Sequence, residues 1–162
     1  MKLLLDTTYL LPAIGVSIKE IPRNSVIKLI KEGYEILISE ITFFEISAKG
    51  AKYITSGLLT PARVTRGIRA IARDDRIRKV PIHDTPILLV AFKLRKVLSD
   101  FIDCLILSSA INRADILVTE DSDIHELTTT DKFKKIIQEI NPKFKVKSLK
   151  DLLQSMKNKP SP

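Results

Sequence analysis

The chain has 162 residues, 44% of them hydrophobic, enough for one folded domain with a sizeable core and too apolar for a disordered polypeptide. Lys and Arg outnumber Asp and Glu by 27 to 19, a net charge of +8, so a polyanionic partner is expected, nucleic acid before an anionic membrane surface. Cys104 stands alone, which excludes an intramolecular disulfide, and Asp6 breaks the opening run MKLLLDTTYLLPAIG, so neither export nor a membrane span is expected and the chain reads as cytoplasmic.

KLLLD is a short apolar run closed by an acid, the pattern of a strand buried on both faces. A short helix is predicted over 9–14. The next starts at Asn24 or Ser25, either of which can cap it, and stops at Gly33. EILIS (35–39) is a second strand, with Ser39 placed to cap a helix through ITFFEISAKGAKYI. Thr60 followed by Pro61 is a cap and first-turn pair for a helix to Arg73. KVPI is a third strand. Asp84 and Asp100 are the predicted caps of helices reaching Val97 and Arg113. DILVT is the fourth strand and FKVKSL the fifth; a last helix spans 149–156, with a frayed tail at 157–162.

Strands alternating with helices imply a three-layer α/β/α sandwich around a mostly parallel central sheet of about five strands. A single domain over 1–156 is expected, since the chain shows no repeat, linker or low-complexity block. Ligands of open parallel sheets bind at the carboxyl ends of the strands, where the winding reverses. Asp6 and the cluster Glu120, Asp121 and Asp123 both follow predicted strands.

Two further acids stand out. Glu45 lies in ITFFEISA among Ile41, Phe44 and Ala48, and Asp103 lies in FIDCLILSSAI, a helix apolar almost all round. An unpaired buried carboxylate is costly and needs a cation, hydrogen bonds or a proton. Each acid taken singly has an ordinary explanation: Glu45 at the rim of an apolar stripe, Asp103 favoured by the helix dipole, Asp6 in a turn, Asp123 capping a short helix from Ile124. If Asp6, Glu45, Asp103 and Asp121 converge, they form an oxygen-rich pocket suited to Mg2+ or Mn2+. His83 and His125 lack helical metal-ligand spacing and there is no Cys pair, so zinc is not expected. Neither GxxxxGK[ST] nor GxGxxG occurs, which removes P-loop and dinucleotide readings.

The succession LLLDTTYLL, ISEITFFEIS, DFIDCLILSSA and ILVTEDSDI resembles the PIN domain, particularly the small ribonucleases of the VapC toxin type. That family's pattern is an acid and a small hydroxyl after the first strand, Glu in a later helix, Asp opening an apolar helix, then Thr-x-Asp-x-Asp. It falls here on Asp6 with Thr7, on Glu45, on Asp103, and on Thr119, Asp121 and Asp123, over residues 1 to 125. Asp100, one turn before Asp103, is read as the helix cap, and Glu120 as a variable position facing solvent. The resemblance implies hydrolysis of RNA phosphodiesters with Mg2+ or Mn2+. It implies that Asp6, Glu45, Asp103 and Asp121 hold one or two ions, with Asp123 acting through water and Thr7 and Thr119 orienting carboxylates or water. RNA, an antitoxin protein and a second copy of the chain are the partners it implies; no membrane partner is expected.

An acidic pocket repels a phosphate backbone, so a nuclease needs cations nearby. The run 63–79 supplies Arg63, Arg66, Arg69, Arg73, Arg76, Arg78 and Lys79 against Asp74 and Asp75. Arg66, Arg69 and Arg73 share one helical face, opposite Val64, Ile68 and Ile71, and are read as a surface that tracks phosphates rather than a merely solvated face. Three rivals stay open: a non-catalytic RNA-binding or RNA-processing scaffold of the same fold, a metal-dependent phosphotransfer or phosphatase domain, and a structure-specific DNA nuclease. Intact acids count against the first. The absence of a second acid two residues after Asp6, where Thr8 stands, counts against a haloacid-dehalogenase-like form of the second.

Overall fold

The computed structural model describes residues 1–157. Its sheet is parallel throughout, with strands β1 (Lys2–Leu5), β2 (Glu35–Ser39), β3 (Ile77–Val80), β4 (Ile116–Val118) and β5 (Lys145–Lys147) in the order β3-β2-β1-β4-β5. Leu3, Leu4 and Leu5 are fully buried, as are Ile36, Leu37 and Ile38, which is why these strands read as unbroken apolar runs. Each such side chain stabilises the fold by about 1.5–3 kcal/mol relative to exposure.

Alternation along the strands sends side chains to opposite faces and divides the core in two. Leu4, Leu37 and Leu117 pack under α5 (Thr85–Leu94), α6 (Phe101–Arg113), α7 (Ser122–Leu127) and α8 (Asp131–Ile140). Leu3, Leu5, Ile36, Ile38, Ile116 and Val118 pack under α1 (Leu11–Ile14), α2 (Ser25–Lys31), α3 (Ile41–Thr55), α4 (Pro61–Arg73) and α9 (Leu149–Lys157). The result is the expected three-layer sandwich. The chain winds outward from β1 to β2 and β3, then returns to lay β4 and β5 on the other side of β1. The carboxyl ends of β1 and β4 therefore flank the reversal, the place such sheets use for ligands.

Local chemistry accounts for several boundaries. Thr60 accepts from the Arg63 amide and Pro61 opens α4, while Asp100 accepts from the Ile102 amide (2.7 Å) and caps α6. Gly33 takes φ +84 after α2, a conformation that only glycine adopts cheaply. On α4, a Cβ at Gly67 would lie 2.4 Å from the Ala13 carbonyl, so glycine lets α4 close onto α1.

Several expectations need correcting. The third strand is 77–80 and not 79–82, because Pro81 has no N–H to give the ladder. Ser39 does not cap α3; its hydroxyl pairs with that of Ser109 at 3.0 Å across the core. Asp84 gives α5 no side-chain cap and instead accepts from Arg113 at 2.7 Å, and α5 ends at Leu94 rather than Val97. The fifth strand ends at Lys147, since Ser148 accepts from the Asp151 amide (3.1 Å) and starts α9. Helix α8 is not among the predicted elements, and the six-residue α7 is capped by Asp121, so the ordinary explanation of Asp123 as the cap of a helix from Ile124 does not hold. Of the tail expected at 157–162, residues 158–162 lie outside the described residues.

Candidate active site

Asp6 leaves the sheet at the end of β1, and its amide is held by the Val118 carbonyl (3.0 Å), so backbone pairing alone puts it beside the end of β4. Its carboxylate accepts from the Thr7 amide (2.7 Å) and from the Thr119 hydroxyl (2.9 Å). Thr119 is fully buried; its oxygen also accepts from the Asp121 amide (3.1 Å), and Asp121 accepts from Ile124 N–H (3.0 Å) to cap α7. The Thr119 backbone is braced by Lys147 (3.0 Å) and by the His125 ring (2.9 Å). Thr7, also fully buried, donates its hydroxyl to Glu45, one face of α3 having been turned inward by Thr42, Ile46 and Gly50. Glu45 is paired with Lys49 (2.8 Å), one turn further along.

Asp103 completes the group from the first turn of α6. Among the described residues its carboxylate has neither a hydrogen-bond donor nor a cation. Desolvation and the charges of Asp100, Asp121, Asp6 and Glu45 raise its pKa to about 7. The Asp6 pKa is raised too, chiefly by desolvation and then by Glu45, with the Thr119 hydroxyl, the Thr7 amide and Lys49 pulling the other way. Asp103 thus feels the charges of Asp121, Asp6 and Glu45, and Asp6 that of Glu45. Asp123 is exposed and lines a neighbouring groove with Val97, Leu98 and Ser99, next to the loop into α6.

Among the described residues, no three His, Cys, Asp or Glu side chains stand at spacing that would close on one ion. Three of the acids have partners of their own: Thr7 and Thr119 hold Asp6, Thr7 and Lys49 hold Glu45, and the Ile124 amide donates to Asp121. The donors themselves fit a hard divalent cation, being all oxygen and carrying negative charge that Lys49 only partly offsets. The unpartnered Asp103 carboxylate is the plainest sign of that imbalance.

Sequence reasoning did not identify Lys49, Tyr9 or His125. The Glu45–Lys49 pair has the i,i+4 spacing that marks it on a helix. Glu120, expected to face solvent, is exposed but not free: it accepts from the buried Tyr9 hydroxyl (2.6 Å) and from Leu149 N–H (2.9 Å). Burial and that carboxylate push the Tyr9 hydroxyl well above its usual range, so it remains a donor.

On the basic run, Arg63 donates to the Ala13 carbonyl (2.7 Å), Arg76 pairs with Asp74 (2.7 Å), Arg78 with Glu35 (3.4 Å), and Lys79 donates to the Asp74 carbonyl (2.7 Å). Arg66, Arg69 and Arg73 are exposed on α4 and have no such partner among the described residues. No described helix is long and apolar enough to cross a membrane.

A family model described as PIN domain matches residues 3–129. No curated protein matches the chain. Among solved structures, the crystal structure of VapBC2 from Rickettsia felis bound to a DNA fragment from their promoter superposes with a TM-score of 0.56. The alignment covers 91% of this chain and 98% of that one at 19% identity, a likeness of fold.

Proposed function

The chain belongs to the PIN domain family, and from that premise we propose that it is a Mg2+- or Mn2+-dependent endoribonuclease, the toxin of a toxin–antitoxin pair. What supports this reading is that Asp6 and Thr119 are hydrogen-bonded where β1 and β4 flank the winding reversal, with the unpartnered Asp103 carboxylate close enough to feel the charges of Asp121, Asp6 and Glu45. These four would hold the ion, with Asp123 reaching it through water. When bound, the ion supplies Lewis acidity, making water nucleophilic near neutral pH and offsetting charge on the phosphate.

The chain's own residues do the rest. Thr119 and Thr7 fix the carboxylates of Asp6 and Glu45 by donating hydroxyl protons to them. Asp103 is the group best suited to carry a proton near neutral pH. Arg66, Arg69 and Arg73 on α4 would track the RNA backbone as separate charges. Residues 1–156 act as a single nuclease unit. The VapBC assembly of the Rickettsia felis neighbour supports a cognate antitoxin as partner. Exposed Leu89 and Phe92, the latter stacked on Phe101 at 6.0 Å, offer an apolar face for a homodimer. The test is incubation of purified protein with total cellular RNA, with and without Mg2+ or Mn2+, followed by mapping of fragment ends. Fragments with defined ends only in the presence of a divalent ion are expected; RNA binding without cleavage would favour the non-catalytic scaffold.

A further inference from the structure

We propose that Glu120 is a positioning residue for the acid loop, and that α9 is the wall against which it holds that loop. The proposal rests on the nuclease reading of the four acids and extends the site beyond residue 129, where the family match ends.

Glu120 sits between the two residues whose placement matters most. On one side Thr119 Oγ1 lies 2.9 Å from Asp6 and 3.1 Å from the Asp121 amide; on the other Asp121 caps α7. An exposed Glu in such a turn would ordinarily sample many rotamers. Here a single oxygen, Oε1, takes the Tyr9 hydroxyl at 2.6 Å and Leu149 N–H at 2.9 Å. Both donors are anchored. Tyr9 is 2% exposed and belongs to the 3-10 turn Thr7–Leu10 that directly follows Asp6. Leu149 and Leu152 are buried in the core with Leu3, Leu5 and Val118. One carboxylate therefore joins the segment carrying Asp6, the loop carrying Thr119 and Asp121, and the start of α9. Hydrogen bonds to an ionised acceptor are about twice as strong as neutral ones, so the tie is stiff.

The plainer alternative is that Glu120 only stabilises α9. The two roles differ in their effect on the acids once the tie is cut in a protein that stays folded. Full-length Glu120→Ala and Glu120→Gln are compared with Leu152→Ala, which loosens α9 while keeping Glu120 and its bond to Tyr9. Mn2+ binding is measured by calorimetry without RNA, and hydrogen exchange is followed at the Asp121 and Ile124 amides in metal-free protein. The expected result is a Mn2+ Kd about ten- to a hundredfold weaker in Glu120→Ala, the range for loss of a residue that orients ligands. Glu120→Gln keeps the acceptor oxygen but not its charge, so its Kd should fall between those of wild type and Glu120→Ala. A wild-type Kd in folded Glu120→Ala overturns the proposal while leaving the nuclease reading intact. If the wild-type protein binds no Mn2+, that reading fails and exchange alone decides: faster exchange in Glu120→Ala than in Leu152→Ala supports the tie, and equal rates overturn it. Should Glu120→Ala not fold, Tyr9→Phe takes its place; a smaller but definite weakening of Kd is expected, and none overturns the proposal.

Discussion

Asp103 holds its proton up to about pH 7 because half-burial and four neighbouring acids disfavour its charge. In the unfolded chain it would ionise near 3.8. Between those values the folded state binds a proton that the unfolded state has lost, so stability falls as pH rises through the interval. Metal-free protein is therefore expected to be more stable at pH 5 than at pH 8. Solvent screening of a half-exposed group limits the contribution to about 1–2 kcal/mol. Asp103→Asn should remove that part of the slope, as read by urea unfolding in EDTA at the two pH values. Asp121 makes a second test. Its side chain caps α7, and Asn caps as well as Asp does, so Asp121→Asn should fold with wild-type stability or better. Loss of orienting partners alone costs about 10–100-fold, so losing a ligand should lower divalent-dependent RNA cleavage by more than about 100-fold. Asp123→Asn should fall between that variant and wild type. Equal cleavage rates in Asp121→Asn and wild type would remove Asp121 from the site.

At the scale of elements, α4 carries its arginines on a scaffold fixed by other means. Val64 and Ile71 are buried, Gly67 meets α1, and Arg63 is bound to the Ala13 carbonyl. Replacing Arg66, Arg69 and Arg73 with Gln should thus spare the fold while weakening RNA binding. The slope of log K against log salt should flatten by up to about 2–3, roughly one unit per lost phosphate contact; unchanged affinity and slope would make the face a merely solvated one.

What could be read beforehand divides along the same lines. Strands β1, β2 and β4 and helices α4 and α6 announce themselves through apolar runs, caps and Pro61, because their signals are local. Helix α8 was equally signposted by its Thr130 cap and by Phe133, Ile136, Ile137 and Ile140 at helical spacing, yet lysines dilute the pattern. The partners of Ser39, Asp84 and Glu120 were not legible, since each bond joins residues 29 to 111 positions apart. The identities of the acids were visible in the residues, and the resemblance already gave Thr7 and Thr119 an orienting role; that Thr7 holds Glu45 and Thr119 holds Asp6 came only with the tertiary structure.

For the molecule as a whole, an ion that binds the folded form alone stabilises it by mass action, about 2.7 kcal/mol at a hundred times its Kd. At about 2–4 °C per kcal/mol for a chain of this size, Mn2+ should raise the melting temperature by about 5–10 °C. The gain should be larger at pH 8 than at pH 5, where the ion has to displace the Asp103 proton. No shift at either pH would count against a divalent ion at these carboxylates. The strand order has one more consequence, for the time at which the acids can come together. β1 is complete by Leu5, but the strand that stands beside it at the reversal is Ile116–Val118, and the carboxylate next to that strand is anchored on Leu149. A ribosome adding about 5–20 residues each second therefore spends several seconds making a chain in which the acids cannot yet meet. A nascent or prematurely ended polypeptide lacking β4 carries Asp6, Glu45 and Asp103 but not the strand that sets Asp121 beside Asp6, so the four acids can come together only after Ile116–Val118 has been made.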